Sequence, residues 1–421
     1  MSETLLQRRA RLMGEAVPTF YEEPLHLVRG EGVWLHDAKG RKYLDAYNNV
    51  AHVGHGRLEV ADAIHRQQRM LNVNTRYVVS LVLDYMDRLQ NLLAPGLDQV
   101  LLCCTGTEAN DVAIRMAEAV TGKTGIVATD NTYHGNSKAT AALSSRRPPI
   151  GGLPSNVRLV PAPDAVNPLG GSLEAQPYVL AKEIEKAAAS LEKAGHGFAG
   201  FMFCPIFANE GLQAQKHGFL DTAAEVVRKA GGLLLCDEVQ SGFGRVGTHW
   251  WGHEALGVEP DVVTMGKPMG NGYPVAGVVA RKSVMGAFRR AFGYFNTFGG
   301  NPVAAAAGMA TLDVLERDDL IGSGRRTGYY LHSRLREFDH PAIAGVRAAG
   351  LFLAVELVED GANARQLARR VVNGMRRRGV LIGAGGRDDH ILKIRPPMPF
   401  NRGNADLLLT TLEEVLAETR R

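Results

Sequence analysis

Lys267 sits in VVTMGKPMGNGYPVAGVV (262–279), directly after an apolar run and at the head of a glycine-rich turn. A lone lysine is usually a solvated surface charge. An amine led in by apolar residues and followed by Pro-Met-Gly-Asn-Gly is set instead to be desolvated. That lowers its pKa and makes it a nucleophile toward an aldehyde. Thirty positions earlier (267 minus 237), LLLCDEVQSGFGR (233–245) runs three leucines and a cysteine into Asp237 and Glu238. A carboxylate at the C-terminal end of a buried strand lies where α/β sheets hold ligands, and it can balance a protonated pyridine nitrogen. The plainer alternative is an acidic pair at a solvated strand end. CTGTEANDVAI (104–114) ends a strand and opens a helix. The helix N–H groups, the small Gly106 and the Thr107 hydroxyl together suit a phosphate dianion. Taken alone, a simple helix cap with Thr107 and Asn110 is the favoured reading there.

The three stretches weigh more together. A phosphate cradle, a carboxylate at a strand end and a desolvated lysine are the parts that pyridoxal phosphate needs. Tyr133 in NTYHGNS (131–137) follows a strand and offers an aromatic face to a cofactor ring. Thr297 in FNTFGGNPVA (295–304) lies before a helix and offers a hydroxyl to the phosphate.

Other chemistries fit poorly. GHGFAG (195–200) precedes a strand instead of following one. GFGRVG (242–247) does follow a strand but opens no apolar-periodic helix, so neither is a dinucleotide fingerprint. Lys267 lacks the upstream glycine of a phosphate-binding Walker loop. His52 and His55 could share a helical face, but no carboxylate motif accompanies them, and no metal site is expected. The cysteines Cys103, Cys104, Cys204 and Cys236 have no zinc-finger spacing and read as buried reduced thiols. The net charge of +4, from 48 basic against 44 acidic residues, gives no argument for nucleic acid. No apolar run approaches the roughly 20 residues that span a bilayer. The N-terminal MSETLLQRRARLMGEA reads as an amphipathic helix without a secretory core, so a cytoplasmic protein is expected.

These residues need a scaffold that brings distant segments together. At 421 residues, 45% of them hydrophobic, the chain suits two or three domains. From about 55 to 302 helices alternate with short apolar strands: 99–104, 125–130, 200–205, 232–238 and 261–266. That pattern predicts an α/β fold with a large, mainly parallel sheet. Ala109, Val112, Ala113, Met116, Ala117 and Val120 mark one of its helices. Residues 20–54 read as short strands with a turn at Asp37–Gly40, and 146–171 as a long irregular connection. After 302 an Ala-rich helix leads to a smaller α+β unit, in which GLFLAVELV and HILKIRP flank a helix carrying five arginines. The expected division is a large domain over 55–302 and a discontinuous small domain made of 1–54 and 303–421.

DEVQSGFGRVGTHWWG, TMGKPMGNGYPVAGV and FNTFGGNPVAAAAGMATLDVLE, in this order, closely resemble the signatures of class III (omega- or ornithine-type) aminotransferases. These belong to fold type I of the pyridoxal-phosphate enzymes, and the resemblance runs from about Phe20 to Arg402. It implies that Lys267 is the Schiff-base lysine and catalytic base, Asp237 the partner of the pyridine nitrogen, and Val239 the residue under the ring. It further implies that Gln240 neighbours the phenolic oxygen, that Gly106 and Thr107 bind the phosphate, and that Tyr133 stacks on the ring. Thr297 matches a threonine reaching the neighbouring subunit's phosphate, which implies a homodimer with shared sites, possibly paired into a tetramer. Arg395 in LKIRPPM matches a carboxylate-binding arginine.

LDAYNNVAHVGH, NVNTRY and HPAIAGVRAAGLFLAVEL narrow the resemblance to the branch holding ethanolamine-phosphate and phosphohydroxylysine phospho-lyases. Those enzymes eliminate phosphate and ammonia without a keto-acid acceptor. Animal lyases of that branch carry lysine where this chain has Arg395, and the arginine favours a carboxylate-bearing substrate. The expected activity is therefore transfer of an amino group from an amine or ω-amino acid to a keto acid. Phospho-elimination on an O-phosphorylated amino alcohol is the alternative. Two departures bear on substrate: Cys204-Pro205 stands where the family usually has Glu-Pro, and a charge-neutralising glutamate of some members would fall at Asn209, beside Glu210. A pyridoxal-phosphate-sensing regulator would need an added DNA-binding domain, for which the residues ahead of the resemblance leave no expected room.

Overall fold

The structure, a computed structural model, describes residues 3–15, 17–359 and 362–419. After a capped helix, Leu5–Met13, strands β1 (Leu27–Glu31), β2 (Trp34–Asp37) and β3 (Lys42–Asp45) form an antiparallel meander. The β2–β3 turn is closed by the Asp37 carboxylate, which accepts the N–H groups of Lys39 and Arg41, and by Gly40 at φ 82°.

The large sheet contains β4 (Gln99–Cys103), β5 (Gly125–Thr129), β6 (Val157–Val160), β7 (Phe198–Phe203), β8 (Leu233–Asp237), β9 (Val262–Met265) and β10 (Ala276–Ala280). Its order is β4-β10-β9-β8-β7-β5-β6. The pairs from β6 to β9 are parallel, and β10 runs antiparallel to both β9 and β4. β4 therefore points the same way as the parallel set. Every residue of β5, β7, β8, β9 and β10 is buried, as expected of strands covered on both faces. Alternation along β7 sends Phe201 and Phe203 into one core cluster and Met202 into another, while a register shift against β5 places Ala199 with Met202.

After the helix Pro302–Arg317, β11 (Ile343–Ala349), β12 (Phe352–Glu359), β13 (Ala362–Asn363), β14 (Val380–Leu381), β15 (Gly383–Gly385) and β16 (Ile391–Ile394) follow. One sheet has the order β11-β12-β16-β15, with β13 pairing β12, while β14 joins β3 in parallel. That last pairing ties the N-terminal meander to the C-terminal unit. The helix Arg365–Arg377 buries Leu367, Ala368, Val371, Val372 and Met375. Outward arginines meet acids, with Arg369 at 2.7 Å from Glu22 and Arg370 at 2.9 Å from Glu359.

Four details differ from the sequence reading. The 146–171 connection contains β6, and β10, built of small residues, was not among the expected strands. β7 starts at Phe198, ahead of the expected 200. His52 lies in a turn and His55 in an antiparallel bridge to Gly32, neither on a helix; His52 Nε2 bonds the Phe243 carbonyl at 2.7 Å and His55 Nε2 the Asp45 carboxylate at 2.6 Å. Among the described residues no helix is long and apolar enough to cross a membrane.

Candidate active site

Segments following the C-terminal ends of β4, β5, β7, β8 and β9 converge on one pocket, the position open α/β sheets reserve for ligands. Gly106, Thr107 and Asn110 come from the first, Tyr133, His134 and Gly135 from the second, and Cys204 and Asn209 from the third. Asp237, Val239, Gln240 and Lys267 complete it around about 520 Å³ of empty space.

The helix Gly106–Thr121 starts with a capping box at Thr105: its hydroxyl accepts the Glu108 N–H at 3.1 Å, and Glu108 accepts the Thr105 N–H at 3.1 Å. Thr105 being the cap, Thr107 and Asn110 are left free for other work, and the first helical N–H groups have no partner inside the helix. The Thr107 hydroxyl accepts the Asn136 N–H at 3.2 Å. That approach depends on Gly135 (φ 144°), where a Cβ would come within 2.7 Å of Thr107 Oγ1. Gly106 is equally constrained, because a Cβ there would lie 2.9 Å from Val239 Cγ2.

Asp237 ends β8, buried, and accepts three hydrogen bonds: from Asn110 Nδ2 at 2.9 Å, His134 Nδ1 at 2.6 Å and the Val239 N–H at 3.0 Å. Thr264 Oγ1 fixes the Asn110 amide at 2.5 Å, and His134 Nε2 lies 3.2 Å from Thr132 Oγ1. Neither His134 nor the Asn110 amide was singled out from sequence; the histidine in NTYHGNS directly after Tyr133 was the available signal.

Lys267 follows β9 and is held by no side chain among the described residues. Burial is the main cause lowering its pKa; Asp237 raises it, Arg395 lowers it and Cys204 raises it. It is the desolvated amine that its sequence context predicts. Cys204 itself is buried and its thiol is pushed up, chiefly by burial, so it is no thiolate. All four cysteines are free and three are buried; Cys104 is half-buried.

Arg395 lies behind this pocket. Its Nη1 donates to Gln240 Oε1 at 2.6 Å and its guanidinium lies 4.4 Å from the Tyr47 ring centroid. Gln240 Nε2 donates in turn to Asn209 Oδ1 at 3.4 Å. Two expected site residues do not line the pocket: Arg395, which reaches it only through Gln240, and Thr297, which sits exposed in the 293–301 loop.

The segment bearing Arg395 is anchored by Arg245, 1% exposed, which donates to the carbonyls of Leu351 (3.1 Å) and Pro396 (2.5 Å) and to His52 Nδ1 (3.1 Å). Burial, then the charge of Arg395, lower its pKa to about 9; burial, then Arg245, lower that of His52 to about 3. Arg245→Met strips donors from three buried acceptors. A loss of about 3 kcal/mol is expected, read as a lower urea midpoint.

Residues 18–416 match the family model described as aminotransferase class-III. The ethanolamine-phosphate phospho-lyase homolog 1 of Caenorhabditis elegans is 35% identical over 100% of this chain and 94% of its own length. Human mitochondrial alanine–glyoxylate aminotransferase 2 is 30% identical over 96% of this chain and 84% of its own. Among solved structures, a phospholyase from Arthrobacter in complex with phosphoethanolamine superposes with a TM-score of 0.95 at 41% identity, covering 98% of this chain and 99% of that one. The chain belongs to the class III aminotransferase family. It is a pyridoxal-phosphate enzyme of fold type I. The pocket suits that group: a glycine cradle that a Cβ would fill, a buried carboxylate and an unpaired amine face one space.

Proposed function

We propose that the enzyme is a phospho-lyase acting on an O-phosphorylated amino alcohol such as phosphoethanolamine. The observation carrying this reading is the chain Arg395–Gln240–Asn209, in which the guanidinium is bonded to neutral amides. A transaminase whose amino donor lacks a carboxylate must present its arginine charge to the keto acid and mask it when the amine binds. Here the arginine meets an amide instead of a carboxylate, and the next group is an asparagine. A permanently cationic end suits one anionic substrate. The likeness to the Arthrobacter phospholyase and the nematode homolog supports the same choice. Transamination is the second reading, favoured by the planar fork of Arg395, which fits a carboxylate in bidentate fashion.

When bound, pyridoxal phosphate supplies an electron sink for the charge that develops at the substrate carbon bearing nitrogen. Lys267 Nζ would hold the cofactor covalently, and as a free amine it would serve as the base that takes the proton from that carbon. Asp237 holds the pyridine nitrogen's proton, with His134 and Asn110 keeping its carboxylate in place. Gly106 and Thr107 bind the cofactor phosphate at the helix N-terminus. Val239 and Tyr133 would pack against the cofactor ring, and Gln240 would be available to hydrogen-bond it. Arg395 orients the anionic end of the substrate. Chain segments 55–302 form the cofactor domain, and 1–54 with 303–421 the small domain. In a cytoplasmic homodimer Thr297 reaches the partner's phosphate; the exposed Tyr77, Val78 and Phe298 supply apolar surface for that contact.

The test is acceptor dependence. Elimination continues on phosphoethanolamine with no keto acid present, whereas transamination stops after one half-reaction.

A further inference from the structure

Two residues before Arg395, Lys393 is 5% exposed. Among the described residues its ammonium has no hydrogen-bond or ion-pair partner. Gly385, on the neighbouring strand β15, clears its path: a Cβ there would lie 2.4 Å from Lys393 Cε. The charges facing it are Arg395 and Arg146, which disfavour its proton, and Glu210 and Asp389, which favour it. Burial outweighs all of them, and the pKa falls to about 7. Arg146 is already engaged by Asp389 and the Gly386 carbonyl. Glu210 accepts the Thr129 hydroxyl at 2.6 Å through Oε1, while its buried Oε2 has no partner. Arg395 likewise has a buried Nε without one.

A cation on a buried side chain with no counter-charge bonded to it is costly, and an apolar side chain of the same length would be cheaper. Extended backbone places residues i and i+2 on one face, so Lys393 and Arg395 aim their charges at the same side. One arginine suffices for a carboxylate, but a second cation beside it suits a dianion.

We propose that Lys393 acts with Arg395 as a binding site for the substrate's phosphoryl group, so that the site selects a phosphate monoester over a carboxylate. The proposal rests on the elimination reading above and adds the residue that sets its substrate class. Lys393 is a specificity-determining residue, and Arg395 alone would leave the two anions poorly distinguished.

The test uses unreactive probes on the holoenzyme, ethyl phosphate and propionate, with binding measured by calorimetry. Wild type binds ethyl phosphate the more tightly. Lys393→Met weakens ethyl phosphate roughly ten- to a hundredfold, the scale of a lost charge-assisted hydrogen bond, and leaves propionate nearly unchanged. The visible absorbance of the lysine-bound cofactor and the thermal unfolding midpoint of the variant show that it is folded and loaded. Monoester phosphates have their second pKa near about 6, so from pH 7.5 to 9 the probe's charge is constant. Over that range wild-type affinity for ethyl phosphate falls as Lys393 loses its proton, whereas Lys393→Arg stays level. Equal ethyl phosphate affinity in Lys393→Met and wild type, or equal losses for both probes, overturns the proposal. A Lys393-dependent phosphate preference in an enzyme that releases no phosphate from phosphoethanolamine would sink the elimination reading and leave the subsite standing.

Discussion

Lys267→Ala is expected to fold, to lose the visible absorbance of covalently held pyridoxal phosphate, and to lose turnover by about four orders of magnitude or more. Proton transfer by a positioned base alone accounts for roughly 10²–10⁴-fold, and the covalent tether is lost as well. Folding is spared because Lys267 makes no hydrogen bond that other residues depend on, and burial already disfavours its charge. A thermal midpoint close to wild type with no visible band separates loss of chemistry from loss of structure. A variant that keeps both the band and turnover would overturn every role assigned around it.

Asp237→Asn should be the second most damaging change. The substitution preserves shape but replaces an acceptor-only carboxylate with a group that must also donate. Asn110 Nδ2 at 2.9 Å and His134 Nδ1 at 2.6 Å both donate to the same oxygen, Oδ2, so either both face the new amide nitrogen or that nitrogen faces the Val239 N–H. The charge that holds the pyridine nitrogen's proton also disappears. A fall in kcat of about 10²–10³ is expected, the scale for losing one preorganised electrostatic partner of a reacting charge. Cofactor affinity falls with it, and stability drops by about 1–3 kcal/mol for the unsatisfied buried donor. The fall in kcat should persist at saturating substrate, because the role proposed for Asp237 is toward the cofactor and not toward the anionic end of the substrate. A change confined to KM would assign Asp237 a different task.

The large sheet was legible because strands buried on both faces are continuous apolar runs: LLLCD and VVTM can hardly be anything else. β6 was less so, since its VRLV lies in a Pro/Gly-rich stretch and only two of its four residues are buried. β10, AGVVA, hides behind the glycine-rich turn that made Lys267 conspicuous. In the site, residues with a local setting were readable: a lysine after a strand, a carboxylate ending one, a Thr-Gly-Thr turn before a helix. Even there the local reading misassigned the helix cap, which is Thr105 with Glu108 and leaves Thr107 and Asn110 for the pocket.

Partners distant in sequence were not readable. His134 meets Asp237 across 103 positions, and nothing in NTYHGNS announces that. Lys393 is the sharper case. In ILKI a single lysine between apolar neighbours reads as the wet side of a strand, and only the packing of β15, Arg146 and Glu210 reveals that this side is buried. Arg395, seen alone, points to a carboxylate; its bonding to Gln240, which in turn bonds Asn209, could be seen only in the structure.

The most direct measurement is phosphorus NMR of the holoenzyme with excess phosphoethanolamine and no keto acid, with ammonia assayed in the same sample. The account predicts continuous release of inorganic phosphate, many turnovers per subunit, matched one for one by ammonia and unaltered by added pyruvate. Absence of free phosphate, together with amino-group transfer that starts only when pyruvate is supplied, would contradict it.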